Sequence, residues 1–241
     1  MFSIDVKDTV KEARLKLVGF GKQVPFAVAK ALTSTGKIVK DEEIKEIKRV
    51  FDSPTRRTTS SVYLKWATKA NLTAKIWIVD YAYKGTAPVK YLYPEVHGGH
   101  RNRTRFELSL ERKGYLRHNE YVVPSKHAKL NQFGNITAGT YTRVLSQLRA
   151  SSDPMQNITG SAASKRKRIA SQYFYMKAGA ARGIWEKKGL TSKPLFIFVK
   201  KHPTYRQRLD FYRIAERTNA KHFKNEFNKA IVLAKTTARL R

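Results

Sequence analysis

Residues 58–80 read TTSSVYLKWATKANLTAKIWIVD, and the fold class turns on this stretch. Val62, Leu64 and Trp66 alternate along the first half, and Ile76, Ile78 and Asp80 alternate against Trp77 and Val79 in the second. A period of two in β-branched and aromatic residues predicts strands. The polar Lys69-Ala70-Asn71 between the halves predicts that the two strands pair antiparallel.

Upstream of Pro54 the texture is helical. Val6, Val10, Ala13, Leu17 and Phe20 fall at helical spacing over residues 5–20, with Asp5 and Asp8 suited to a helix start. Gly19-Phe20-Gly21-Lys22 breaks that pattern. A second helix begins near Val24, with Pro25 in its first turn. Its apolar stripe runs through Val28, Ala31, Leu32, Thr35, Ile38, Val39, Ile44 and Ile47 to Phe51, and Gly36 is expected to weaken it. Asp41, Glu42 and Glu43 precede Lys45, Lys48 and Arg49, which predicts ion pairs along a solvent face.

Downstream, short elements follow. A helix is expected at 102–113, a strand at EYVVPS (120–125) and a helix at 137–149. SQYFYMKA (171–178), GIWEKK (183–188) and PLFIFVK (194–200) read as three short strands. RQRLDFY (206–212) is either a fourth strand or the approach to a helix over about 211–238. The expected fold is α+β: long N-terminal helices, a small mostly antiparallel sheet with inserted helices, and a long C-terminal helix. The expected segments are a helical 1–53, an α+β body at 54–150, a flexible basic loop at 151–169, and 170–241 completing the same body. The loop is assigned on composition, since SSDPMQNITGSAASKRKRI is too poor in large apolar residues to build a core.

The chain of 241 residues carries 49 Lys+Arg against 18 Asp+Glu, a net charge of +31. Such an excess repels itself, so a partner with negative charge is implied: nucleic acid, an acidic protein surface or anionic lipid. Residues 1–53 hold 11 basic and 8 acidic side chains, so most of the excess, +28, is carried after them. Absence of cysteine removes disulfides and thiolate chemistry. No run approaches the length of a membrane span and no signal-peptide pattern opens the chain, so no membrane partner is expected.

The chemical motifs are sparse. His97-Gly98-Gly99-His100 does not have the helical spacing of a zinc-protease motif. A zinc site would need a third ligand from His118, His127, His202, His222 or a carboxylate, and nothing marks one. Pro94 with Gly98 and Gly99 reads instead as a turn anchored by Tyr91, Leu92 and Tyr93. No nucleophile elbow, phosphate loop or dinucleotide fingerprint is present, so no enzyme activity and no cofactor are expected.

Basic groups carry the stronger signal. Arg56 and Arg57, then Arg101, Arg103 and Arg105, then Lys165, Arg166, Lys167 and Arg168, then Lys200, Lys201, Arg206 and Arg208, and the tail KTTARLR all fit phosphate or acidic-partner contacts. Tyr173, Phe174, Tyr175, Trp185 and Tyr205 are interleaved with them, either as stacking platforms or as core residues of the strands.

Taken in order, SVYLKWATKANLTAKIWIVD, KGTAPVKYLYPEVHGGHRNRTRFE, YVVPSKHAKLNQFGNITAGTYTRVLSQLRA, GIWEKK, PLFIFVK and YRQRLDFY resemble the minor tail protein Z-like family. These are tail-completion or neck proteins of tailed bacteriophages, and the resemblance spans most of the chain. It implies a structural protein of the virion, made in the bacterial host cytoplasm, that forms a ring or cluster at the head-proximal end of the tail. Its implied partners are other phage tail and neck proteins with acidic surfaces, a homo-oligomeric ring, and non-specific contact with the phage DNA. It also implies that HGGHRNR is a tight loop at a subunit contact. A channel that must release DNA is poorly served by a strongly cationic lining, so much of the positive charge is expected at protein seams. A non-specific nucleic-acid-binding protein with a basic surface is the alternative, and a metal-dependent nuclease is a third reading.

Overall fold

The computed structural model describes residues 2–4, 15, 23–83, 85–168, 172–178 and 181–238. The helix expected at 5–20 lies outside these, apart from the helical, exposed Leu15. The fold is α+β, with antiparallel sheets between a long N-terminal and a long C-terminal helix. Two compact units are present: residues 1–99 with 206–241, and residues 100–205. This division departs from the expected segments, which ran in chain order. The C-terminal helix packs back on the N-terminal one, and residues 100–205 form a unit of their own. The charge divides accordingly. The first unit holds 28 Lys+Arg against 13 Asp+Glu and the second 21 against 5, so both are strongly positive.

In the first unit, helix α1 (Val24–Val50) starts at Pro25, where the missing N–H costs no intrahelical bond. Its stripe of Ala27, Val28, Ala31, Leu32 and Val39 is buried. Strands β1 (Phe2–Ile4), β2 (Val62–Lys65) and β3 (Ala74–Ile78) form an antiparallel sheet in the order β1-β3-β2, so the expected strand pair is present and gains a third member. Val62, Leu64, Ala74 and Ile76 turn one face of it toward the core. Gly36 has a use that composition hides: a Cβ there would stand 2.8 Å from Leu64 Cδ1, so its absence lets α1 settle on the sheet. The short α2 (Arg56–Thr59) and α3 (Pro88–His97) follow. The turn expected from Pro94 with Gly98 and Gly99 falls at the two glycines alone, because Tyr91–Tyr93 and Pro94 are helical. Leu92, Glu95 and Val96 are buried on one side, and the helix runs through Pro94 before stopping at Gly98 (φ 72°) and Gly99 (φ 91°). The two glycines therefore terminate a helix by supplying left-handed backbone.

The second unit opens with α4 (Arg105–Arg112), β4 (Tyr121–Pro124), α5 (Ala138–Gln147) and α6 (Ala162–Arg168). Strands β5 (Gln172–Met176), β6 (Gly183–Lys188) and β7 (Thr191–Val199) join β4 in an antiparallel sheet of order β4-β7-β6-β5. Phe106 packs edge-on to Tyr141 and against Phe196, with centroids 4.9 and 5.1 Å away, over a core that includes Leu110, Val144 and Ile184. The segment expected as a flexible basic loop, 151–169, holds local structure as far as residue 168. Asp153 Oδ1 accepts from the Met155 N–H, Ser161 Oγ accepts from the Ser164 N–H, and α6 follows, with Ile158 buried as an anchor. Short polar side chains cap turns as well as they fill loops. The segment RQRLDFY is the approach to α7 (Phe211–Ala238), not a strand.

Glu43 departs from the expected solvent face of α1: it is fully buried, and neither carboxylate oxygen has a hydrogen-bond partner. The ion pairs on that helix are Lys45–Glu42 and Arg49–Glu46, each three residues apart. Burial, with Glu46 and Asp210 adding like charge, pushes the Glu43 carboxyl up to about 9 from 4.5. The folded state therefore holds a proton that the unfolded chain releases, and stability falls as pH rises through the window between those values. Wild-type stability in urea is expected to drop by roughly 1 kcal/mol per pH unit across neutral pH from this group. Glu43→Gln should abolish that component. An unchanged slope in the variant would show that Glu43 is ionised in the fold.

Candidate functional site

The arginines singled out in HGGHRNRTRFE do not share one role. Thr104 caps α4: its Oγ1 accepts the Glu107 N–H at 3.2 Å, while Glu107 Oε2 accepts the Thr104 N–H at 2.7 Å. This reciprocal box fixes the Glu107 carboxylate in the interior. Arg101 then grips it with two parallel bonds, Nη1 to Oε2 at 2.8 Å and Nη2 to Oε1 at 2.6 Å. The Val122 N–H donates to the same carboxylate at 2.8 Å. Burial alone pushes Glu107 up. The Arg101 bonds and the two backbone donors outweigh it and hold the carboxyl down at about 2.

Two further arginines repeat the pattern. Arg103 donates to Glu111 and to the carbonyls of Arg117 (2.9 Å) and Glu120 (2.7 Å). Arg182 donates to Glu120, to Tyr175 Oη at 3.0 Å and to the Tyr115 carbonyl at 3.2 Å. The guanidinium carbons of Arg101 and Arg103 lie 5.8 and 5.7 Å from the Tyr121 ring centroid. Arg101 and Arg103 are thus corrected from partner contacts to internal braces that fasten α4 and the following loop to β4. Their side chains are only 19% and 15% exposed. Arg208, in the first unit, is also engaged: it donates to the Val50 carbonyl at 2.6 Å, lies 3.8 Å from Glu95 and sits over the Phe51 ring.

The remaining basic candidates face outward. Arg56, Arg57, Arg105, Arg166, Lys200, Lys201 and Arg206 are exposed, whereas the side chains of Lys165, Lys167 and Arg168 on α6 lie outside the described residues. The aromatic candidates divide similarly. Tyr173 is buried, Phe174, Tyr175 and Trp185 are half-buried, and Tyr205 is more exposed, so most of them serve the sheet.

The two histidines of HGGH have separate environments. His97 ends α3 with its ring 4.5 Å from Tyr93 and 5.9 Å from Tyr212. The His100 ring lies 4.1 Å from that of His202 at a tilt of 53°, and its Nδ1 lies 3.2 Å from Thr204 Oγ1. No group of three or more metal-ligating side chains occurs among the described residues. What the arrangement offers chemically is anion binding by lysine and arginine. No family model, curated protein or solved structure matches the chain.

Sequence reasoning missed the commitment of Arg101 to Glu107. The signal was present as Thr104-x-x-Glu107, a capping-box spacing just ahead of an apolar run. It also passed over Tyr63, Lys65, Lys75 and Trp77, whose common face emerges only from strand register.

Proposed function

We propose that this chain is a structural protein of a bacteriophage virion, a tail-completion or neck component that assembles as a ring or cluster at the head-proximal end of the tail. The ordered resemblance of its segments to the minor tail protein Z-like family supports the placement. The observation that carries the physical side is where the acids are used. In the second unit Glu107, Glu111 and Glu120 are taken by arginines, Glu186 by Lys188 and the Tyr173 hydroxyl, and Asp153 by a turn cap. The surface left over is cationic, and a cationic surface of this extent finds its complement in acidic neighbours. Acidic tail and neck proteins would supply that charge, with the phage DNA as a non-specific contact.

Light scattering on the purified chain, alone and mixed with neighbouring tail proteins, tests this. The chain is expected to self-associate or to co-assemble with those neighbours. A stable monomer that engages none of them would overturn the proposal. Binding to duplex DNA that collapses steeply with salt would favour the nucleic-acid alternative in its place.

A further inference from the structure

The three-stranded sheet of the first unit buries one face, and on the other Tyr63 and Lys65 are exposed while Lys75 and Trp77 are half-buried. On that second face Tyr63 stands directly opposite Trp77, and Lys65 directly opposite Lys75. The Tyr63 and Trp77 rings are 4.8 Å apart and tilted by 57°, and Tyr63 is 51% exposed. Like charges directly across an antiparallel pair repel. Among the described residues neither lysine has an ion-pair partner to offset this. The face therefore presents two rings and, one step along the strands, two unneutralised cations.

A groove of about 570 Å³ continues this surface around the β2 edge. Lys37, Lys40 and Asp41 of α1 line it together with Tyr63, Lys65 and Trp66. Trp66 is 63% exposed, and Lys37 Nζ lies 5.5 Å from its ring centroid. The groove and the sheet face meet at Tyr63 and Lys65, bringing four lysines and three aromatic rings together, and Asp41 is the one carboxylate among the described residues that line the groove.

We propose that this surface binds single-stranded nucleic acid, bases stacking on Tyr63, Trp77 and Trp66 while phosphates meet Lys37, Lys40, Lys65 and Lys75. The alternation matches the ligand. Residues two apart on one strand are separated by ~7 Å, the same scale as the step between phosphates of an extended single strand. Each nucleotide brings one flat ring and one negative charge, and bases of any identity stack on aromatic side chains. A duplex hides its base faces. An acidic polypeptide offers carboxylates to the lysines but does not bring an aromatic ring with each charge to stack on the three rings. The proposal is independent of the virion reading, since it rests on a surface that reading does not use.

The test is fluorescence anisotropy of a labelled oligothymidylate of about 12 nucleotides, within the range such platforms cover, titrated at several salt concentrations. Tyr63→Ala is expected to weaken binding by about tenfold or more, and Tyr63→Phe to retain it, because the ring and not the hydroxyl stacks. Lys65→Gln combined with Lys75→Gln should lower the salt slope by about 1.4, two single-strand phosphate contacts. Lys126→Gln with Lys129→Gln, two exposed lysines of the other unit, should leave affinity and slope close to wild type. Circular dichroism confirms that each variant is folded. Wild-type affinity in folded Tyr63→Ala would overturn the proposal, as would equal losses from the Lys126/Lys129 pair. Preference for polyglutamate or for duplex of equal length over the oligothymidylate would overturn it too.

Discussion

Arg101→Ala is expected to destabilise the second unit by about 3–5 kcal/mol, the usual cost of stranding a buried charge. Glu107 is fully buried, and its carboxylate is committed to the α4 cap, to the Val122 N–H and to Arg101. Removing the guanidinium leaves the negative charge in the interior with only neutral donors. The pH dependence separates this from a mere loss of packing. Glu107 is held at about 2 against an ordinary 4.5, so the pair contributes stability above the unfolded value and loses it as pH falls through the folded one. The deficit of the variant should therefore be full near neutral pH and shrink in acid, where a protonated Glu107 carries no charge to strand. Arg101→Lys should fall between, since an ammonium keeps the charge but not the two-pronged geometry. Urea unfolding followed by circular dichroism, at neutral and acidic pH, measures all three. A variant as stable as wild type would return Arg101 to the role of a surface contact.

The same residue marks the limit of what the sequence disclosed. Helices α1 and α7 were legible because their apolar stripes run for 27 and 28 residues at a period that no other element produces. The strands at 62–65, 74–78, 172–176, 183–188 and 191–199 were legible from β-branched and aromatic runs between polar breaks. Helix α3 was not, since Pro94 and the two glycines outweighed a stripe of only Leu92, Glu95 and Val96. Glu43 is expected in solvent because an acid in a charged run is usually solvated, yet it is fully buried on a helix that packs against α7. For the basic groups, counting arginines gave no means of telling which were free. That depended on the position of a few glutamates in space, and Arg101 and Arg103 lie close enough to Glu107 and Glu111 to be consumed by them. Strand register was equally out of reach: nothing in VYLKW or AKIWI alone sets Tyr63 against Trp77 and Lys65 against Lys75.

Gly183→Ala is expected to be the most damaging single substitution proposed for the chain, costing about 4 kcal/mol or more and preventing the second sheet from closing. Gly183 opens β6 with φ 159°, paired to Met176 on β5 and to Ile197 on β7. A Cβ there would lie 2.0 Å from the Phe196 carbonyl oxygen, 3.0 Å from its carbon and 3.1 Å from Ile197 Cα. All three are backbone atoms of the neighbouring strand, so no side-chain rotation can relieve the overlap. Strand β7 would have to withdraw, and with it Phe196, whose ring is at the centre of the Phe106–Tyr141 cluster. The ladder already carries an irregularity at Ile184/Trp185, directly beside this glycine, where close backbone approach is what a glycine in a strand permits. Gly160→Ala is the matched control, because a Cβ at that position meets no atom within 4 Å. Thermal unfolding and amide exchange over β5, β6 and β7 distinguish the two. Gly160→Ala should melt with wild type, while Gly183→Ala should lose protection throughout these strands or fail to accumulate as soluble protein. A Gly183→Ala chain with native melting and protected β7 amides would mean that β6 and β7 do not approach each other as described.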